Sequence, residues 1–237
     1  MHRSLKEFAG ILLIGFVAQL SAAGDLTLVS KVTSAMGGPS TSTQYLAEGR
    51  MRMSSGNDDT IVDINAGKMV MIDHKKKSYS EATFEEMRAH FAEMAEMMNS
   101  NPMMSKMMGK VSEIDVNKTS ETREILGYTC TKYILSMGEN FQQILWVTPE
   151  LKIPAEYYEA SKAMYAMMGP MATRFEKMLE SMKQIEGFSL ATEVNMEVMG
   201  RDASSSSEVV EVKKGAIPDD VFAVPSGYKK KKSPFDD

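Results

Sequence analysis

The chain has 237 residues, a formal net charge of -5 and 43% hydrophobic residues. That length can bury a sizeable core, and the mildly acidic balance gives no electrostatic reason to bind nucleic acid. Cys130 is the only cysteine, so no intrachain disulfide can form and stability must come from packing.

The first 23 residues read as a secretory signal peptide. Arg3 and Lys6 precede an apolar run from Phe8 to Val17, and small residues follow at Ser21, Ala22 and Ala23. The run is too short to span a bilayer, which takes roughly 20 apolar residues. Cleavage is expected after Ala23. No cysteine follows the cut to carry a lipid, so the mature chain is expected to be periplasmic or secreted, with no transmembrane segment. That compartment argues against reactions that consume ATP or NADPH.

Alternation opens the mature chain. Leu26, Leu28, Ser30 and Val32 share one face, which predicts a half-buried strand ended by Gly37-Gly38-Pro39. A second strand is predicted from Gln44 to Met53. Thr60–Ile64 and Lys68–Asp73 predict a hairpin, joined by Asn65-Ala66-Gly67, which tolerates positive φ. Lys77–Glu81 predicts a short edge strand. The period then changes: Phe84, Met87, Phe91, Met94 and Met98 step by 3 and 4, the stripe of an amphipathic helix with Thr83 as its cap. Asn99–Pro102 should end it, with one more turn over residues 103–108.

Strands return from Val111 to Val147, with Gly127 inside one of them and Gln142–Val147 as a largely buried strand. A second helical block follows Pro154, divided at Gly169-Pro170 because proline cannot carry a helix through its own nitrogen. Its apolar stripe is Met171, Phe175, Met178, Met182 and Ile185. Leu190, Thr192, Val194, Met196 and Val198 then alternate again, Gly200-Arg201-Asp202 turns the chain, and Ser207–Lys213 pairs back. The segment from Ile217 to Tyr228 packs as a terminal piece, and Lys229–Lys232 reads as a solvated charge run on a flexible tail over residues 229–237. The fold class is α+β: one antiparallel sheet with the helical blocks lying across it, a single domain over residues 24–228.

Three stretches carry a family resemblance: Thr60 to Tyr79, Ile125-Leu126-Gly127-Tyr128-Thr129-Cys130-Thr131-Lys132-Tyr133, and Ile217 to Tyr228. Together they resemble a periplasmic family known as domain of unknown function 4412, which is similar to the LolA/LolB lipoprotein-carrier group. The resemblance implies an open, strongly curved antiparallel sheet, an unclosed barrel, with helices over the concave face as a lid. It also implies an early-strand arginine that ties the lid down. Arg50 and Arg52 are the candidates, and their spacing puts both on one face of a strand.

Methionine is the compositional outlier, with 23 residues, most of them in residues 94–108 and 164–182. Three readings stand side by side: core filler between helix and curved sheet, an adaptable apolar wall for a lipid-like ligand, or a soft Cu(I) site built on the thioethers of residues 94–108. No histidine or cysteine lies inside that cluster, so no metal site is assigned. His74 and His90 read as solvated surface residues, Asp58-Asp59 as an exposed loop pair, and Cys130 as a buried mid-strand residue. There is no Gly-x-Ser-x-Gly elbow, His-Glu-x-x-His or phosphate loop, so no catalytic residue and no cofactor is expected. The expectation is a non-enzymatic binding protein holding a hydrophobic ligand, a lipid or lipidated chain. Its cavity and lid contacts are Phe84, Met87, Phe91, Met94, Met98, Met164, Met168, Met171, Phe175, Met178 and Met182. The alternative is an envelope interaction or stress-sensing scaffold whose cavity is filled by its own side chains and whose partner is another protein.

Overall fold

The computed structural model describes residues 16–17, 24–34, 38–100, 114–137, 141–151, 184–198 and 201–235. Among them it has thirteen strands and one α-helix. In chain order these are β1 (Phe16–Val17), β2 (Leu26–Ser34), β3 (Gly38–Ala47), β4 (Arg50–Ser55), β5 (Asp58–Asp63), β6 (Lys68–Asp73), β7 (Ser78–Thr83), α1 (Phe84–Ser100), β8 (Ile114–Ile125), β9 (Tyr128–Met137), β10 (Phe141–Thr148), β11 (Gly187–Val198), β12 (Arg201–Lys214) and β13 (Lys229–Lys230).

All thirteen join one sheet, whose main path runs β13-β7-β6-β5-β4-β3-β2-β12-β11-β10-β9-β8. Off that path, β1 pairs with the start of β11. Every pairing is antiparallel except β13 on β7. The sheet is open: β13 and β8 end its two edges and do not pair with each other. Register shifts interrupt β8 between Lys118 and Thr122, β10 between Trp146 and Val147, and β12 between Val209 and Glu211. Such bulges add bend and twist, and here they fall in the half of the sheet running from β12 to β8.

Alternation decides what each face carries. Leu26, Leu28, Leu46, Met51 and Val62 lie in register on one face and are all buried. This face is termed the inner one, and Met87 and Phe91 of α1 are buried in the same core cluster at 4% and 6% exposure. Fully burying such side chains contributes about 1.5–3 kcal/mol each. Cys130 is fully buried within the main core, as its mid-strand position implied.

Several local expectations change in detail. The strand expected from Gln44 to Met53 is two strands, because Glu48-Gly49 forms a tight turn with Gly49 at φ +67. Gly127 is not inside a strand. Leu126 and Gly127, at φ +53 and +79, form the β8–β9 turn, and β-hairpins favour two residues at positive φ there. Arg201 and Asp202 belong to β12 rather than to the turn before it. Gly187 must be glycine, since a side chain there would collide with the Thr148 carbonyl where β10 meets β11.

The tail is the largest change. Lys229 and Lys231 donate their backbone N–H groups to the Lys77 and Tyr79 carbonyls at 3.0 and 2.7 Å. Their side chains stay exposed, as a charge run should, but their backbone closes the edge that β7 would leave open. The second helical block, expected after Pro154, lies outside the described residues as far as Met182. The same holds for the turn expected over residues 103–108.

Candidate functional site

Two layers flank β4 to β7. On the inner side, α1 begins with a reciprocal cap. The Glu86 N–H donates to Thr83 Oγ1 at 3.1 Å, and the Glu86 carboxylate accepts from the Thr83 N–H and hydroxyl at 2.6 and 2.9 Å. This is a capping box, and Glu85 and Glu86 further suit the positive helix start. The bonds from Thr83 hold the Glu86 carboxyl below its ordinary value. Phe84 N–H donates to the Gly67 carbonyl at 2.8 Å, which fixes the start of the helix to the β5–β6 turn.

Of the lid residues expected from sequence, Met87 and Phe91 reach the inner core and Phe84 packs partly buried against it. Met97 points outward at 66% exposure. The side chains of Met94 and Met98 lie outside the described residues, as do Met164, Met168, Met171, Phe175, Met178 and Met182. Leu151 and Ile185, which bracket the last six, are buried at 2% and 1% in the same core.

The outer side carries different chemistry. A second apolar cluster of Ile61, Val70 and Ile72 is covered by Phe222, Val224 and Tyr228. The segment from Ile217 to Tyr228 therefore crosses the outer face, with a 3-10 turn at Asp219–Phe222. Ile217 N–H donates to Asp25 Oδ2 at 2.8 Å at its start. Arg50 and Arg52 share this outer face, as their spacing required. They tie down a covering segment, but it is this C-terminal strap and not α1. Arg50 pairs with Asp219 at 2.6 Å and lies 4.6 Å over the Phe222 ring. Arg52 donates to the Val221 carbonyl and to the Asp59 carboxylate.

Asp59 is the centre of the outer cluster. It was expected in an exposed loop, yet it lies on β5 at 4% exposure. Burial pushes its carboxyl upward, but hydrogen bonds from His74, Ser54 and Arg52, with the Arg52 charge, outweigh that and hold it below the ordinary value. The carboxylate is therefore an acceptor, so His74 Nε2, 2.8 Å away, carries a proton. His74 Nδ1 lies 2.7 Å from the Tyr228 hydroxyl. The neutral ring accepts from that hydroxyl and the protonated ring donates to it, so the contact survives either state. Both ring nitrogens are occupied, which corrects the reading of His74 as a solvated turn residue. His90 also has partners, the Phe91 and Phe235 rings at 6.3 and 5.5 Å.

The carboxylate–imidazole–hydroxyl chain has the wiring of a proton relay, but its hydroxyl belongs to the strap and its carboxylate is neutralised by Arg52. It serves as an anchor for the strap. Sequence reasoning missed Asp59, His74 and Tyr228 as a group. The available signal was the alternation of β5, which puts Asp59 on the face of Ile61 beside Arg52. Elsewhere on the outer face, a groove of about 550 Å³ runs between Lys31, Arg123, Glu193, Asn195, Ser206 and Glu208. Its polar lining does not suit an acyl chain.

These layers define a class: one open antiparallel sheet with a helix on its inner face and a C-terminal strap across its outer face. The chain belongs to the family described as "Domain of unknown function (DUF4412)", which matches residues 24–228. Solved structures that resemble it include an uncharacterized conserved protein from Thermus thermophilus, with 7% identity, 90% of this chain and 92% of that chain covered, and a TM-score of 0.48. The complex structure of Pseudomonas aeruginosa MucA/MucB matches at 9% identity over 86% of this chain and a TM-score of 0.43, and the chain spans only 57% of that one. The LolA superfamily protein NE2245 from Nitrosomonas europaea matches at 7% identity over 86% of this chain and 91% of that chain, with a TM-score of 0.31. No curated protein matches the sequence. Among the described residues no helix is long and apolar enough to cross a membrane.

Proposed function

We propose that this is a non-enzymatic periplasmic binding protein that holds an apolar moiety, a lipid or a lipidated chain, between the inner face of the sheet and Met-rich helices. The observation that carries the reading is the placement of α1: Met87 and Phe91 are buried in the core, Phe84 packs partly buried against it, and Met97 turns to solvent. Leu151 and Ile185, on either side of the second Met-rich stretch, are both buried in the same core. The lid contacts proposed on that stretch are Met164, Met168, Met171, Phe175, Met178 and Met182, with Met94 and Met98 on α1. Methionine suits such a wall because an unbranched thioether reshapes at low cost. An acyl chain needs few polar contacts, since each buried methylene contributes about 0.8 kcal/mol. The signal-like leader supports the compartment, and the family resemblance to lipoprotein carriers supports the ligand class.

The test is native mass spectrometry of residues 24–237 purified gently from a bacterial periplasm, followed by lipid add-back. A phospholipid, fatty-acid or lipopeptide adduct supports the carrier and names its cargo. A bare mass with no saturable uptake counts against it. One observation favours the second reading, an interaction scaffold: Met51, Met69, Met87 and Phe91 lie in one core cluster at 4% to 6% exposure, as expected of a face covered by the protein's own side chains. In that case a partner protein co-purifies and no lipid does.

A further inference from the structure

We infer that the C-terminal segment is a strap that holds the α1 lid closed, with Phe235 as its clip. The strap starts on the outer face, where Asp25, Arg50, Arg52 and His74 anchor it. It then runs along the open edge as β13, where the backbone bonds to Lys77 and Tyr79 are joined by the Lys230–Glu81 ion pair. Past the edge, Ser233 is buried at 6% exposure, and its hydroxyl accepts the Phe235 N–H at 3.2 Å, which turns the chain inward. The Phe235 ring ends 6.2 Å from the Phe91 ring and 5.5 Å from His90, packed against the main core. One continuous segment thus joins the polar anchor on one face to the helix on the other.

The leverage follows from where α1 is fixed. Its start is held by the Thr83–Glu86 box and the Phe84–Gly67 bond. Phe91 sits two turns further on, roughly 10 Å from that fixed end. The helix is therefore a lever hinged at Thr83, and the clip acts beyond the hinge on the residue that plugs the inner face. Releasing Phe235 frees α1 to lift without breaking its cap. What the lifted helix would admit rests on the carrier reading; the strap itself does not.

The experiment uses the mature chain, Phe235→Ala, and a chain ended after Lys232. Hydrogen exchange is read at the amides of residues 87–95 and, as control, at β5 and β6. An aromatic pair lost at the clip should speed exchange in α1 about tenfold and leave β5 and β6 unchanged. Uptake of 1-N-phenylnaphthylamine should quicken in the same variants. Unchanged α1 exchange in both variants overturns the strap, whatever the dye does. Faster α1 exchange with no dye bound by any form upholds the strap and sinks the carrier reading instead.

Discussion

The two faces of β4 to β7 are covered by opposite means. Inside, Met51, Val62, Met69, Met87 and Phe91 are buried together in one apolar cluster. Outside, the cover is half apolar and half ionic: Phe222, Val224 and Tyr228 sit on Ile61, Val70 and Ile72, while Arg50, Arg52, Asp59 and His74 fix the strap by directed bonds. Apolar contact is non-directional and tolerates sliding, so it suits an element that moves. Hydrogen-bonded charge pairs fix one geometry, so they suit an element that must not. By this contrast α1 is the cover suited to move and the strap the one suited to stay.

The inner face should respond to lost volume. Phe91→Ala removes a buried ring and is expected to cost about 3–5 kcal/mol in urea unfolding. A cost near zero would mean α1 is not packed as described, and the contrast between the faces would fail. On the outer face, charge should matter more than volume. Asp59→Ala strands Arg52 at a largely buried position and is expected to cost about 3 kcal/mol by the same measurement. Asp59→Asn should recover little of that if the carboxylate charge is the essential feature.

Acid separates the two faces further. Asp59 binds its proton less readily when folded than when unfolded. Its contribution to stability is therefore complete above the ordinary carboxylate range and is lost as the pH falls through that range towards the lowered folded value. A pH series of unfolding midpoints should show this loss in the wild type and much less of it in Asp59→Asn. Tyr228→Phe keeps the packing and removes one hydroxyl from His74, so about 1 kcal/mol is expected from thermal unfolding.

The smallest effect concerns Cys130. Burial pushes its thiol up to about 11, so a thiol reagent at pH 8 should leave the native protein unlabelled and react stoichiometrically in urea. Native labelling would show that the β8–β9 end opens, and that sealing is not uniform across the sheet.

Much of the architecture was legible because burial in regular elements follows local periods. Period two marked Leu26 and Leu28, Leu190 and Val194; the 3,4 steps from Phe84 to Phe91 marked α1; and Thr83 announced its cap. The errors were equally local. Glu48-Gly49 and Leu126-Gly127 are two-residue turns, and neither interrupts the apolar pattern enough to be read as one. Leu126 at positive φ is the harder of the two, since leucine seldom takes that backbone.

Residue spacing alone was enough to specify a sheet with an amphipathic helix, a buried lone cysteine and two arginines on one face. What those arginines hold was set by the folded chain. Asp59 and His74 are 15 residues apart, and His74 and Tyr228 are 154 apart. No period links them; strand register and the course of the strap bring them together. Folding also turned a lysine run into the strand that closes an edge, because a backbone can pair while its side chains remain in water. Face preference is encoded within a few residues, whereas long-range polar partners exist only once the sheet has set its register.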